Sequence, residues 1–479
     1  MKSEAANLCW YICKIAACFL LAPALSMSAR GETNPLVGAW MFSKADFEGG
    51  AFQQPLAAVV TFMADGTYIA NDTAEFVNGN IHGTTKGIWK KTGQNLAEAT
   101  AINLGLSADK PNGFVGTFIS TSSFSYDSAR DEVDGQILTT FYPEGTDPLA
   151  TDSTDGIPFG VTNFSNGKRI QVDVNGEGGG QNLAGEIPVG PWFGTAVADD
   201  PATAAFPDII FEPTFMDDGN VIYNDVQEEA QLYTAAHGKW VKTGENSFEA
   251  VVIRANLATT ETTELESWIK IRFSGIIDPD NRDQLSGSLR MISFAPDADP
   301  LDPNDVGGES LGTFTVGALG RLRTFSAGQA DADLSEDLAV GTWFGRAIPD
   351  DPALSPFPEV FMTPTFNGDG NFIANDAIAT SLHHTAHGDW VKINDTTLEA
   401  TFLFIIGTPL PENPLGGLFR IKFTGIIDPD DPDKMTGKVE PMLFPPGTDP
   451  LNLESAEGIP VVGLTFPELR RVRAIPNPL

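Results

Sequence analysis

The stretch FMADGTYIAND at residues 62–72 decides the fold, because the chain repeats it twice more. It returns as FMDDGNVIYND at 215–225 and as FNGDGNFIAND at 366–376. In each copy an Asp-Gly pair separates two apolar runs, which is typical of a tight hairpin turn between β-strands. Because the internal spacing is identical in all three copies, the sequence indicates a tandem repeat.

Other landmarks recur in the same register. A Gly-x-Trp motif opens each copy, at Trp40, Trp192 and Trp343, and a second one follows at Trp89, Trp240 and Trp390. A Gly-rich joint at 173–186 and an Ala-, Asp- and Ser-rich joint at 326–337 separate the copies. A chain of 479 residues is also too long for one hydrophobic core. We therefore predict three domains, at 32–173, 186–325 and 338–475.

Within a copy the apolar residues alternate with polar ones. Ile269, Ile271 and Phe273 alternate with Lys270 and Arg272, which predicts a strand with one buried face and one wet face. The third copy offers about eight such runs separated by turns. The sequence therefore predicts an all-β protein of three antiparallel modules in tandem, each of them an up-and-down β-barrel or a two-sheet β-sandwich.

The first 29 residues have the features of a signal peptide. An apolar run at 15–25 is too short to span a membrane, and small residues follow it. All three cysteines lie here, so the mature chain would lack disulfides and thiol chemistry. We predict a secreted or periplasmic protein. Lipidation at Cys18 is the disfavoured alternative, because the strongest apolar run follows that residue.

The net charge of −35 excludes some partners. Nucleic acids and anionic membranes bind through basic patches, so neither is expected to bind this surface. No segment after the leader is apolar enough to form a transmembrane helix. The preferred interpretation of the acidity is solubility, and cation binding is the alternative.

A basic residue near the end of each copy matches the spacing of the first tryptophans: Arg169, Arg321 and Arg471. With the early Gly-x-Trp, this resembles the lipocalin-like (calycin) barrels, in which a last-strand basic side chain packs over the first-strand tryptophan. The resemblance favours three tandem up-and-down β-barrels, with β-sandwich modules as the alternative. It also implies that Trp40, Trp192 and Trp343 pair with these arginines and close one end of each barrel. A guanidinium over an indole gains cation–π energy. The usual lipocalin cysteines are absent from the copies.

Histidines give a weak candidate for a metal site. His237 and His387 occupy the same position in copies two and three, where copy one has Lys86, and His383 and His384 add a local cluster. No His-x-x-x-His motif with fixed partners accompanies them. The preferred interpretation of His237 and His387 is structural, as histidines that start a strand and bond a backbone carbonyl.

Acidic loops are the second candidate, for calcium. Asp278 and Asp280 in copy two, and Asp428 and Asp430 in copy three, lie in Asp-Pro-Asp turns, and residues 297–305 carry further aspartates. None matches a known calcium loop, so solvated turns are the preferred interpretation. No cofactor is predicted. The recurrent Asn-Asp pair, as at Asn71, is interpreted as capping backbone N–H groups at a strand end.

The sequence predicts architecture better than function. The leading hypothesis is a small apolar ligand inside one or more barrels. The first alternative is a surface or envelope interaction protein with filled barrels, which an exposed apolar patch or an extensive face between modules would favour. The second is a barrel-type isomerase or cyclase, which requires convergent polar residues in a cavity. The chain contains no recognisable catalytic motif, so an enzyme is disfavoured.

Copy one differs most from the others. Its stretch Ser120-Thr121-Ser122-Ser123 replaces the charged alternating strand, and it lacks the aligned histidine. If function is unequally shared, we expect copies two and three to be the functional pair.

Overall fold

A computed structural model describes most of the chain from Asn34 to Arg473. The described residues are 34–48, 56–75, 81–107, 114–150, 154–172, 188–206, 208–227, 233–258, 264–324, 334, 337–355, 359–377, 385–407, 415–452 and 457–473. The predicted signal peptide lies outside them. Within these ranges the protein is all-β and contains no α-helix that could cross a membrane.

The first repeat closes into an eight-stranded antiparallel barrel, barrel 1. Its strands are β1 (Gly38–Glu48), β2 (Leu56–Phe62), β3 (Thr67–Asp72), β5 (Thr85–Lys91), β6 (Leu96–Leu106), β7 (Phe114–Asp127), β8 (Glu132–Pro143) and β9 (Ile157–Arg169), and the short β4 (Ile81–His82) pairs with β6. Neighbours in sequence pair in turn, and β9 returns to β1. The up-and-down barrel is therefore confirmed, in place of the sandwich.

Barrels 2 and 3 repeat this plan. Barrel 2 contains β10 (Gly190–Ala198), β11 (Asp208–Phe215), β12 (Asn220–Asp225), β13 (Ala236–Lys242), β14 (Ser247–Leu257), β15 (Leu265–Ile277), β16 (Gln284–Phe294) and β17 (Gly308–Arg321). Barrel 3 contains β18 (Gly341–Pro349), β19 (Val360–Phe366), β20 (Asn371–Asp376), β21 (Ala386–Lys392), β22 (Thr397–Gly407), β23 (Leu415–Ile427), β24 (Lys434–Phe444) and β26 (Leu464–Arg471), with the short β25 (Ile459–Pro460) beside β24. The alternation in β15 puts Ile269, Ile271 and Phe273 into the core of barrel 2.

The three barrels pack against one another in a cycle within the unit Leu36–Leu479. The first strand of each barrel contacts the fourth strand of another: β1 contacts β13, β10 contacts β21, and β18 contacts β5. Apolar side chains fill each face, and between barrels 1 and 3 the rings of Phe114 and Phe361 stack 3.8 Å apart. Barrel 3 thus contacts barrel 1, although these two are the most distant in sequence.

The Asp-Gly hairpins meet where the three barrels converge. Ile69, Ile222 and Ile373, one from each repeat, form an apolar cluster there with Met63 and Met216. The hairpin aspartates link the barrels in the same cyclic order. Asp218 accepts a bond from the Ala64 amide, Asp369 from the Asp217 amide and Asp65 from the Gly368 amide. The repeated hairpin therefore serves the contact between domains as well as the turn within each one.

Candidate functional site

An arginine lies over the first-strand tryptophan in every barrel. The guanidinium carbon lies 4.1 Å from the ring centroid for Arg169 over Trp40, 5.9 Å for Arg321 over Trp192 and 4.6 Å for Arg471 over Trp343. Each pair also faces directly across two hydrogen-bonded strands. Each tryptophan–arginine pair therefore lies where the first and last strands of its barrel meet.

The aligned histidines lie between barrels. His237 of barrel 2 donates from Nε2 to Asn71 Oδ1 of barrel 1 at 2.8 Å, and its Nδ1 accepts from the Thr61 hydroxyl at 2.7 Å. His387 of barrel 3 makes the same two contacts with Asn224 and Thr214 of barrel 2. The expectation of a backbone carbonyl partner is therefore wrong for both histidines. The asparagine of the Asn-Asp pair is the partner, while the aspartate caps backbone amides as expected.

Burial lowers the pKa of His237 to about 3, so this imidazole is neutral at physiological pH. The equivalent residue of barrel 1, Lys86, is buried against barrel 3, where its amine donates to the Thr363 carbonyl at 3.4 Å. Burial lowers the pKa of Lys86 well below its usual value, although the Asp376 carboxylate opposes this. These three residues therefore belong to interfaces between barrels.

The acidic metal candidates lie in turns. Asp278 and Asp428 each accept a backbone amide two residues onward, from Asp280 and Asp430, as in an ordinary Asx turn. His383 and His384 lie outside the described residues. In the described part of the chain, His, Cys, Asp and Glu residues form no group of three arranged to hold a metal ion.

The acidic loop at 297–305 neutralises bases of its own barrel. Asp305 lies 2.9 Å from the amine of Lys270 and 2.9 Å from the guanidinium of Arg272, and Arg290 is close by. These charges lower the pKa of Asp305 despite the opposing effect of burial. Lys270 was expected on a wet face, and it is instead buried beneath this loop.

The barrels differ in how completely their interiors are filled. Barrel 1 contains a cavity of about 260 Å³, whereas the void in barrel 2 is about 10 Å³. In barrel 3, aromatic rings pack at the inward positions, with Phe372 and Phe402 4.7 Å apart and Phe423 and Phe466 4.8 Å apart. Barrel 1 is therefore the candidate site. This result points away from copies two and three, which we expected to be the functional pair.

The cavity results from small residues at inward positions of barrel 1. Strand pairing aligns Ala58 with Phe211 and Met362, and Ala101 with Val252 and Phe402. On the next strand Ser120 replaces Ile271 and Ile421, and Ser122 replaces Phe273 and Phe423. Because buried side chains elsewhere are packed closely, each of these losses of volume leaves space.

One end of the cavity is polar. His82, Asp72 and Asn103 line it, and His82 Nε2 lies 3.4 Å from Asp72 Oδ1. The other imidazole nitrogen contacts the Gly83 carbonyl at 3.0 Å and the Asn103 amide nitrogen at 3.3 Å. In barrel 2, Arg254 occupies the position of Asn103 and forms a fully buried ion pair with Asp225 at 2.9 Å. In barrel 3 that position is Phe404, which packs in the core of that barrel.

Two ionisable groups at this end have raised pKa values. Burial would lower the pKa of His82, but the carboxylates of Asp72 and Glu75 outweigh it and raise the value to about 9. Burial raises the pKa of Glu75 to about 8, although the nearby His82 opposes this.

Sequence reasoning missed this site, although a signal was present. The signal is the serine run at 120–123, because serines there are smaller than the inward residues of the same strand in the other copies. Ser120 and Ser122 are the members of that run that line the cavity. Comparing inward positions between repeats would have identified it.

The fold and the site define a class of protein, a chain of three fused eight-stranded antiparallel barrels with a cavity in the first. No family model matches the sequence, and no curated protein matches it either. A solved structure of a protein of unknown function from the DUF3598 family of Nostoc punctiforme is similar to this chain. It is 10% identical, and the match covers 60% of this chain and 97% of that chain with a TM-score of 0.15. This similarity is too low to assign a family or a function.

Proposed function

We propose that the protein binds one small, mostly apolar ligand inside barrel 1. The observation that carries this proposal is the cavity of about 260 Å³ in barrel 1, beside a barrel 2 of the same plan that is filled. Ligand sites in proteins are concave and mainly apolar, with a few polar groups that fix orientation. The cavity has this composition, since Val60, Ile137 and Phe164 line it together with the polar end.

The arginine-on-tryptophan closure supports a relationship to the lipocalin-like barrels as part of this proposal. That superfamily resemblance, together with the leader-like N-terminus, supports a secreted or periplasmic binding protein. An enzyme needs convergent polar groups in a cavity, and His82, Asp72 and Asn103 supply them. However, both nitrogens of His82 already contact protein atoms, so the arrangement favours binding over proton transfer.

The test is fluorescence titration of the full chain with 2-methylnaphthalene. We expect saturable binding at one site per chain, and its loss in the double variant Ser120→Ile/Ser122→Phe, which restores the bulk found in barrel 2. Ala101→Phe, which copies barrel 3, is a second filling variant. Ser125→Ile is the matched control, because this exposed residue is on the same strand. Absence of saturable binding, or binding that survives both filling variants, would contradict the proposal.

A second candidate function rests on the extensive apolar faces between the barrels. These faces join the three domains into one compact unit, as expected of a structural or envelope protein with a rigid body. It predicts that the filling variants bind the cell envelope fraction as well as the wild type does. Loss of that association in the filling variants would count against it.

A further inference from the structure

We infer that the ligand of barrel 1 is uncharged and donates a hydrogen bond, as a hydroxyl group does, to Oδ1 of Asn103. This inference rests on the proposed function and adds the chemical class of the ligand. It follows from an unpaired polar atom, the charge balance of the cavity and its size.

Asn103 supplies an acceptor that the described protein leaves unused. Its side chain is only 7% exposed, and its amide nitrogen donates to the Thr85 hydroxyl at 2.9 Å. Its Oδ1 has no hydrogen-bond partner among the described residues. A buried acceptor without a partner is costly, and such atoms in folded proteins are usually satisfied. Because Asn103 lines the cavity, a ligand group there could satisfy it.

The charges at this end favour an uncharged ligand. His82 and Asp72 already face each other at 3.4 Å, so neither side chain is left to pair with a charge on the ligand. An ionised ligand would therefore enter a mainly apolar cavity without an unpaired opposite charge, and losing its hydration would be expensive. A hydroxyl group avoids this cost and still supplies the donor that Asn103 lacks.

The volume sets the size of the ligand. An apolar protein cavity of about 150 Å³ binds benzene, so 260 Å³ suits a ligand of roughly ten non-hydrogen atoms. The class is therefore a compact apolar alcohol or phenol. A bicyclic phenol such as 2-naphthol has suitable size and polarity.

The test compares two ligands of nearly equal shape, 2-naphthol and 2-methylnaphthalene, which differ in a hydroxyl and a methyl group. We expect Asn103→Leu to reduce the ratio of their affinities about ten-fold, because only the naphthol uses the acceptor. Asn103→Ala is the second variant, should leucine impair folding. Ser125→Ala is the control, since this exposed residue, on the same strand as Ser122, lies outside the cavity and the ratio should be unchanged. Ser122→Ala tests the other unpaired polar atom of the cavity. For the wild type, 2-naphthoate should bind at least about ten-fold more weakly than 2-naphthol.

The outcomes separate the two proposals. If neither neutral compound binds the wild type, the proposed function itself is wrong. If both bind and the affinity ratio is the same in the wild type and in both Asn103 variants, the inference is wrong and the proposed function stands. A change in the ratio in Ser122→Ala alone would also overturn the inference, as would tight binding of 2-naphthoate.

Discussion

A single buried side chain links barrel 2 to barrel 1. His237 accepts from Thr61 and donates to Asn71, which in turn donates to Glu75 at 2.7 Å beside the cavity. In the neutral imidazole these two bonds place the proton on Nε2. Protonation would reverse the bond to the Thr61 hydroxyl and place a charge in a buried interface.

This arrangement predicts acid sensitivity that belongs to His237. The folded-state pKa of about 3 lies below the ordinary value of 6.5, so the unfolded chain binds the proton first. The contribution of His237 to the free energy of unfolding is therefore fully present above pH 6.5. It falls by about 1.4 kcal/mol per pH unit as the pH drops toward 3. We expect His237→Gln to be less stable than the wild type by about 1–2 kcal/mol at pH 7.5, and that deficit to disappear near pH 5.

Urea unfolding of both proteins at the two pH values measures this difference. The comparison cancels other groups that titrate, including Asp65 and Asp369, whose pKa values burial raises. A deficit that stays constant between pH 7.5 and pH 5 would show that His237 does not titrate in this way.

At the scale of the strand, the second Gly-x-Trp motif marks a place where two strands approach too closely for a side chain. A Cβ atom on Gly238 of β13 would lie 1.8 Å from the Val251 carbonyl oxygen on β14. The equivalent distances are 2.1 Å at Gly87 and 2.4 Å at Gly388. The glycine of the motif is therefore required by the close approach of the two strands.

We expect Gly238→Ala to lower the free energy of unfolding by about 3 kcal/mol, because the backbone of β14 must move. Gly317→Ala on β17 is the matched control, since a Cβ atom there meets nothing within 4 Å. Its stability should be unchanged or slightly higher. Equal losses in the two variants, measured by urea unfolding, would contradict this explanation of the motif.

The fold was largely predictable from the sequence, and the site was not. The Asp-Gly hairpins and the alternation in β15 are local patterns that predict antiparallel strands, and the spacing of the tryptophans and arginines favoured the barrel over the sandwich. The contact of His237 with Asn71 joins residues 166 positions apart, and no local pattern indicates it. The cavity is missing volume, which appears only when the inward residues of the three copies are compared.

At the scale of the molecule, three related barrels have diverged in what fills them. Barrel 2 contains a buried ion pair of Arg254 with Asp225, and barrel 3 contains Phe404 at the position of Arg254. Barrel 1 has Asn103 there and keeps a cavity. The three barrels pack into one unit, so the barrel with the cavity contacts both of the others.

A crystal structure of the full chain under xenon pressure tests this account most directly, because xenon occupies apolar cavities in proteins. We predict xenon density inside barrel 1, among Val60, Ile137 and Phe164, and none inside barrels 2 and 3. Density in all three interiors, or a first barrel closed around its own side chains without xenon, would contradict it.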